Sequence, residues 1–218
     1  MFSKHKSKVL NDLYTTKNYQ GANPVDAKIL FVGRDANWAI DIESKEMFGD
    51  VAEYLTDGVR FWETHHIHHP FLLPTYKGDG RRYHQIFSKL KLESHCANAI
   101  SFLELIGFPT TGMAKNNNKL FLAYLTSEEN KSHLIKLDKF LTVTPNKLIF
   151  IAWGLLDDFK FLNKETGLFP NLAGLDKTQM NISELNQHEN IYVHRHFSDA
   201  ISNATLEKME RAVKLNLQ

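Results

Sequence analysis

Cysteine is almost missing: Cys96 is the single one among 218 residues. One thiol excludes an intramolecular disulfide framework, a four-thiolate zinc site and a protein-ligated iron–sulfur cluster, and it fits a reducing compartment. Glycine and proline are sparse, at 11 and 6, which excludes collagen-like and low-complexity chains. Charge of one sign is also lacking, because 26 Lys and Arg face 25 Asp and Glu for a net +1. A chain so balanced does not bind phosphate by bulk charge, so any nucleic-acid partner has to be held locally. No apolar run reaches bilayer-spanning length, and residues 1–8 are charged where a secretory signal would be apolar. These absences predict a cytoplasmic protein without a membrane partner.

What is present is enough for a core, with 43% apolar and 23% charged residues. No repeat at solenoid periods and no linker interrupts the chain, so residues 1–218 read as one domain. Residues 1–27 read as an N-terminal helical segment packed on it, with Val9, Leu10, Leu13 and Tyr14 at helical spacing. Lys28 to Val32 is a continuous apolar run ending at Gly33, the pattern of a strand buried on both faces. Similar runs cover Ala99 to Ile106, Leu148 to Trp153 and Ile191 to Val193. Helical stripes fall between and after them: Phe48, Val51, Ala52 and Leu55; Tyr83, Ile86, Phe87 and Leu90; Leu134, Leu137 and Leu141; Leu155, Leu156, Phe159 and Leu162; Leu206, Met209 and Val213. Buried strands alternating with helices predict an α/β fold, a three-layer α/β/α sandwich around a central four-stranded parallel sheet. In such sheets ligands sit at the carboxyl ends of the strands.

The first strand ends in Gly33-Arg34-Asp35-Ala36-Asn37-Trp38, and the last in His194-Arg195-His196-Phe197-Ser198-Asp199. The first is neither a dinucleotide fingerprint, lacking the later glycines of GxGxxG, nor a P-loop, lacking GK[ST]. Asp35 or Asn37 suits a helix cap as well as a cleft. An acid at one strand end and histidine with serine at another can nonetheless meet over one cleft.

These stretches resemble the uracil-DNA glycosylase superfamily. Ile29 to Trp38, ILFVGRDANW, is similar to the family's strand ending in GQDPY, GINPG or GMNPG, and Ile191 to Ser198, IYVHRHFS, to its strand ending in HPS. His68-His69-Pro70-Phe71 followed by Gly80 to Ile86 looks like the GHHF and NRFW stretches of the mismatch-specific branch, and Leu148 to Gly154 like the third strand. The resemblance implies catalytic roles for Asp35 and His196. It implies a base pocket from Gly33, Arg34, Ala36, Asn37 and Glu104, with Phe71 or Phe61 as the ring on which a flipped base stacks. Near that cleft Arg34, Arg81, Arg82 and Arg195 are candidates to grip DNA phosphates without raising the net charge, and the resemblance adds Ser198. Ala36 and Phe197 replace the prolines of the two motifs, and Glu104 stands nearest to where the family keeps a base-reading asparagine. A carboxylate there favours a base that presents donors.

The expected activity is hydrolysis of the N-glycosidic bond of a damaged or deaminated base in DNA, with no cofactor, by a monomer. Asp35 would stabilise the cationic sugar or orient water, and a neutral His196 would donate to the departing base. Two other readings stay open. One is a glycosylase-fold protein, altered or inactive in catalysis, that binds nucleic acid or nucleotides. The other is a metal-dependent hydrolase using His65, His66, His68 and His69, although neighbouring histidines without a helix-spaced acid suit one ion poorly, and no metal is expected.

Overall fold

The chain is described by a computed structural model covering residues 1–142 and 147–217. It opens with Ser3–Lys4 (β1) and Lys8–Thr16 (α1), whose first turn is capped by the Ser7 hydroxyl accepting from the Leu10 amide at 3.0 Å. Gln20–Gly21 (β2) and Ile29–Gly33 (β3) follow. Phe48–Thr56 (α2) and Gly58–His65 (α3) are separated by Asp57 alone, whose carboxylate caps α3 through the Arg60 amide. Arg81–Phe87 (α4), Ile100–Glu104 (β4), Thr110–Thr111 (β5), Asn118–Leu125 (α5) and Glu128–Thr142 (α6) come next. Leu148–Ala152 (β6), Leu155–Thr166 (α7), Pro170–Ala173 (α8), Asn186–His188 (β7), Ile191–His194 (β8) and Asn203–Leu217 (α9) complete it.

The four expected strands lie side by side and parallel, in the order β4, β3, β6, β8. Ile29 of β3 faces Ile100 on one side and Leu148 on the other, and Val32 likewise faces Leu103 and Ile151. The sheet is wider than expected and mixed. Antiparallel β2 and β7 extend it to six strands, and β1 pairs with β5 in a separate ladder.

Alternate side chains of the central strands feed two clusters. Leu30, Val32, Ile149 and Ile151 pack with Phe121, Leu134, Leu137, Leu156 and Phe159 from α5, α6 and α7. Ile29, Phe31 and Phe150 pack with Trp62, Phe87, Leu206 and Met209 from α3, α4 and α9. Helices therefore cover both faces, which is why the strands read as unbroken apolar runs. A third cluster joins Leu10 and Tyr14 of α1 to Trp38, Val51, Tyr54, Phe61 and Phe71. Through it the N-terminal helix is built into the body. Among the described residues no helix is long and apolar enough to cross a membrane.

In chain order the parallel strands run second, first, third, fourth across the sheet. The direction of winding reverses between β3 and β6, so the topological switch point lies between Gly33-Arg34 and Trp153-Gly154.

Candidate functional site

Beyond Gly33 the chain turns along the loop that leaves β4. The Leu105 amide donates to the Gly33 carbonyl at 3.0 Å and Ile106 to Arg34 at 3.1 Å. The Thr110 amide donates to Ala36 and the Trp38 amide to Thr110, both at 2.9 Å. Ala36 is thus buried within a backbone ladder, and Asn37 stands exposed. The ladder fixes Asp35, whose carboxylate accepts the Thr110 hydroxyl at 2.5 Å. Burial is the main influence on Asp35 and lifts its carboxyl to about 6, opposed by the Thr110 hydrogen bond and the Arg34 charge.

Glu104 lies opposite Gly33 in register. Its carboxyl rests where a Cβ on residue 33 would stand, with Oε2 nearest, so glycine at 33 leaves room for it. Oε2 of Glu104 is buried and without a hydrogen-bond partner. Burial, with the Asp35 charge second, holds the carboxyl well above the ordinary carboxylate value. The tyrosines Tyr14, Tyr54 and Tyr83 all lie within its electrostatic reach.

Arg34 spans the switch point. Its Nε donates to Asp158 Oδ2 at 2.6 Å and Nη2 to Oδ1 at 2.9 Å, and its guanidinium lies over the Phe121 ring. The pair is bidentate and Asp158 is only 4% exposed. Arg34 is accordingly occupied by a partner rather than free to grip a phosphate. Asp158 was missed in the sequence; two acids in the first turn of a helix that follows a strand-end glycine were its only signal. Thr110 had none, since only the folded loop brings it to Asp35.

At the end of β8 the His194 ring is buried against Phe197 at 4.7 Å, and burial lowers its pKa to about 4. His196 is exposed at the rim, with its ring 5.2 Å from Tyr83. Its Nδ1 accepts the Ser198 amide at 3.2 Å, so the neutral ring carries its proton on Nε2 and presents a donor. Desolvation first, and Arg34 in addition, lower its pKa against the opposing pull of Asp199. Phe197, in the position of the motif's proline, is fully buried among Phe31, Tyr83 and Phe87, pinning the loop. Ser198 is exposed, and Arg195 donates to the Ala200 carbonyl at 3.2 Å while its buried Nε lacks a partner.

The aromatic candidates are packed. Phe71, 4% exposed, lies parallel to Tyr76 at 4.1 Å with its edge toward Trp38, and Phe61 is wholly buried against Tyr54 and His65. Neither ring offers a free face to a base in this arrangement. Arg81 donates to the carbonyls of Leu73 and Tyr76 at 2.7 and 2.5 Å and so ties its own loop, whereas Arg82 is exposed.

His68 and His84 share a hydrogen bond at 3.0 Å, and His69 stacks on His84 at 3.7 Å. Burial lowers His68 to about 3 and holds His69 and His84 well below the imidazole value, so all three are neutral near pH 7. Among the described residues, the group of three ligating side chains close enough to share an ion includes His65 of this cluster: atoms of Asp50, Glu53 and His65 lie within 4.8 Å of one another on the α2–α3 hairpin. A groove of about 520 Å³ opens instead at the amino ends of β3 and β4, between Lys28, Lys91, Glu93, His95, Cys96 and Lys214. None of the strand-end residues described above lines it.

Compared with protein-family models, with curated proteins and with solved structures, the chain matches none.

Proposed function

We propose that this chain is a three-layer α/β/α protein of the uracil-DNA glycosylase type that hydrolyses the bond between a base and its sugar in DNA. The observation that supports the reading is the placement of Asp35 just beyond β3 and His196 just beyond β8, at the carboxyl ends of two strands of one parallel sheet with β6 between them. The charge of Arg34 acts on both and lowers the pKa of each. Cleavage builds positive charge on the sugar and negative charge on the departing base. Asp35, ionised above its pKa of about 6, stabilises the sugar cation or takes a proton from the attacking water. His196, neutral and with its proton on Nε2, donates to the base as charge develops there. Extracting the base from the duplex costs a few kcal/mol, roughly, in lost stacking and pairing. For Phe71 to offset part of that, its ring has to part from Tyr76 on binding.

The test is base release from labelled oligonucleotides carrying uracil, hypoxanthine, xanthine or mismatched thymine. Wild-type protein releases at least one of them. Asp35→Asn and His196→Ala each reduce release by about 10²-fold or more while DNA binding persists. Equal rates in wild type and both variants would remove these two residues from the chemistry.

One observation favours a binding role without cleavage. Phe71, Phe61 and Arg34 are all engaged by partners, which leaves the strand ends closed. Retention of DNA by the folded protein with no base released from any of the four would select that reading.

A further inference from the structure

The hydrolytic reading leaves one strand-end group without a task. Glu104 Oε2 is buried and makes no hydrogen bond. An ionised carboxylate so placed is strongly disfavoured unless a cation or donors attend it. The charge of Asp35, at the β3 exit, raises the pKa of Glu104; its own charge raises the pKa of Tyr14 in α1, Tyr54 in α2 and Tyr83 in α4; and His133 of α6 bonds its backbone carbonyl. His133 has its Nε2 committed to the Glu104 backbone carbonyl at 2.7 Å, and its Nδ1 lies 2.8 Å from the Asn18 amide nitrogen. Asp35, another carboxylate, raises the pKa of Glu104 further, and no cation among the described residues offsets that influence. Two acids at neighbouring strand ends, one held by a hydroxyl donor and one with none, take up protons unequally.

We propose that Glu104 is a second catalytic carboxyl, the proton donor to a departing base, and that this suits the site to purines, which leave readily once protonated on a ring nitrogen. The inference rests on the base-releasing function set out above. The step balances as follows. The bond from C1′ to the base nitrogen breaks and its electron pair goes to the base, which takes the proton from Glu104. Water oxygen bonds to C1′, and the water's proton passes to Asp35. One water is consumed, and the proton returns from Asp35 to Glu104 before the next turnover. In this division His196 steadies the base, Asp35 serves the sugar side, and Glu104 supplies the proton that an anion-forming base such as uracil does not require.

Two duplex oligonucleotides, one with hypoxanthine and one with uracil at the same position, provide the test. Glu104→Gln keeps the shape and neutral charge of the protonated acid, so folding is retained while the transferable proton is lost. It lowers hypoxanthine release by about 10²-fold or more, at least about 30-fold more than it lowers uracil release. Gly33→Ala, whose Cβ occupies the carboxyl's place, shifts the ratio the same way while Glu104 itself remains. Wild-type hypoxanthine release falls on the alkaline side as Glu104 ionises, and that limb vanishes in Glu104→Gln. A carboxyl-carbon NMR titration of labelled glutamate, assigned with the same variant, finds Glu104 protonated at neutral pH. Release of both bases with an unchanged ratio in Glu104→Gln, or a Glu104 ionised at the ordinary value, overturns this inference and leaves the glycosylase reading standing. No release of either base by wild-type protein overturns that reading and this inference with it.

Discussion

Acidification should unfold this protein, and the buried histidines set the size of the effect. His68 and His194 have pKa values lowered from 6.5 to about 3 and about 4. The unfolded chain therefore takes up these protons first, so the stability they confer is complete above about pH 6.5 and is lost as pH falls toward the folded values. Each proton contributes about 1.4 kcal/mol per pH unit, so by about pH 4 the two together remove roughly 6 kcal/mol. Asp35 works in the opposite sense. Its folded value of about 6 lies above 3.8, so the native state gains from its protonation as pH falls, by about 2 kcal/mol over the same range. The net loss is about 4 kcal/mol, a large share of the roughly 5–15 kcal/mol that holds a domain together. His69 and His84 add to the loss and Glu104 to the gain. Urea unfolding at several pH values measures this directly, since the slope of stability against pH counts the protons taken up. His68→Phe should flatten that slope by about one proton. A urea midpoint that holds steady or rises as pH falls from about 6.5 to about 4 would refute the reasoning, because the imidazoles would then have to be solvated in the native state.

The hydroxyl of Thr110 favours the ionised form of Asp35, so Thr110→Val should raise the Asp35 pKa further, by about one unit. An NMR titration of Asp35, or the acid limb of the rate profile once a substrate is in hand, reads the shift; an unmoved limb would mean that the hydroxyl does not bond the carboxylate. Asp158→Asn leaves Arg34 without its bidentate partner at the switch point and should destabilise the fold by about 2 kcal/mol, less than a fully buried pair because Arg34 is a third exposed. The released guanidinium should also lower the pKa of His196; thermal unfolding and imidazole proton NMR check the two effects separately.

The centre of the fold was legible because both faces of β3, β4, β6 and β8 are covered, and a strand buried twice leaves an unbroken apolar run. The edges were not. Gln20–Gly21 and Asn186–His188 are two and three polar or small residues long, and what makes them strands is the neighbour they bond, not their own pattern. The helix Gly58–His65 was hidden by its glycine start and by its abutting α2. Asp35 and His196 could be placed from strand ends alone. What could not be read was engagement: nothing in the spelling of Phe71, Phe61 or Arg34 distinguishes a ring or guanidinium awaiting a ligand from one stacked on Tyr76, packed on Tyr54 or paired with Asp158. Thr110 belongs to the same class, since its role depends on a loop folding back across several residues.

The short antiparallel margins of the sheet bear on how the chain behaves in a crowd. Four parallel apolar strands would make a sticky template if their last backbone groups lay open, since an unpaired strand invites another chain to add to it. Here one flank ends in Asn-Gln-His, half wet and only three residues long, and the other in a two-residue strand that turns at a glycine with φ of +73°. Neither flank is long enough to hold a stranger in register. The sheet is thus bounded at both sides by segments too brief to pair with another strand over any length.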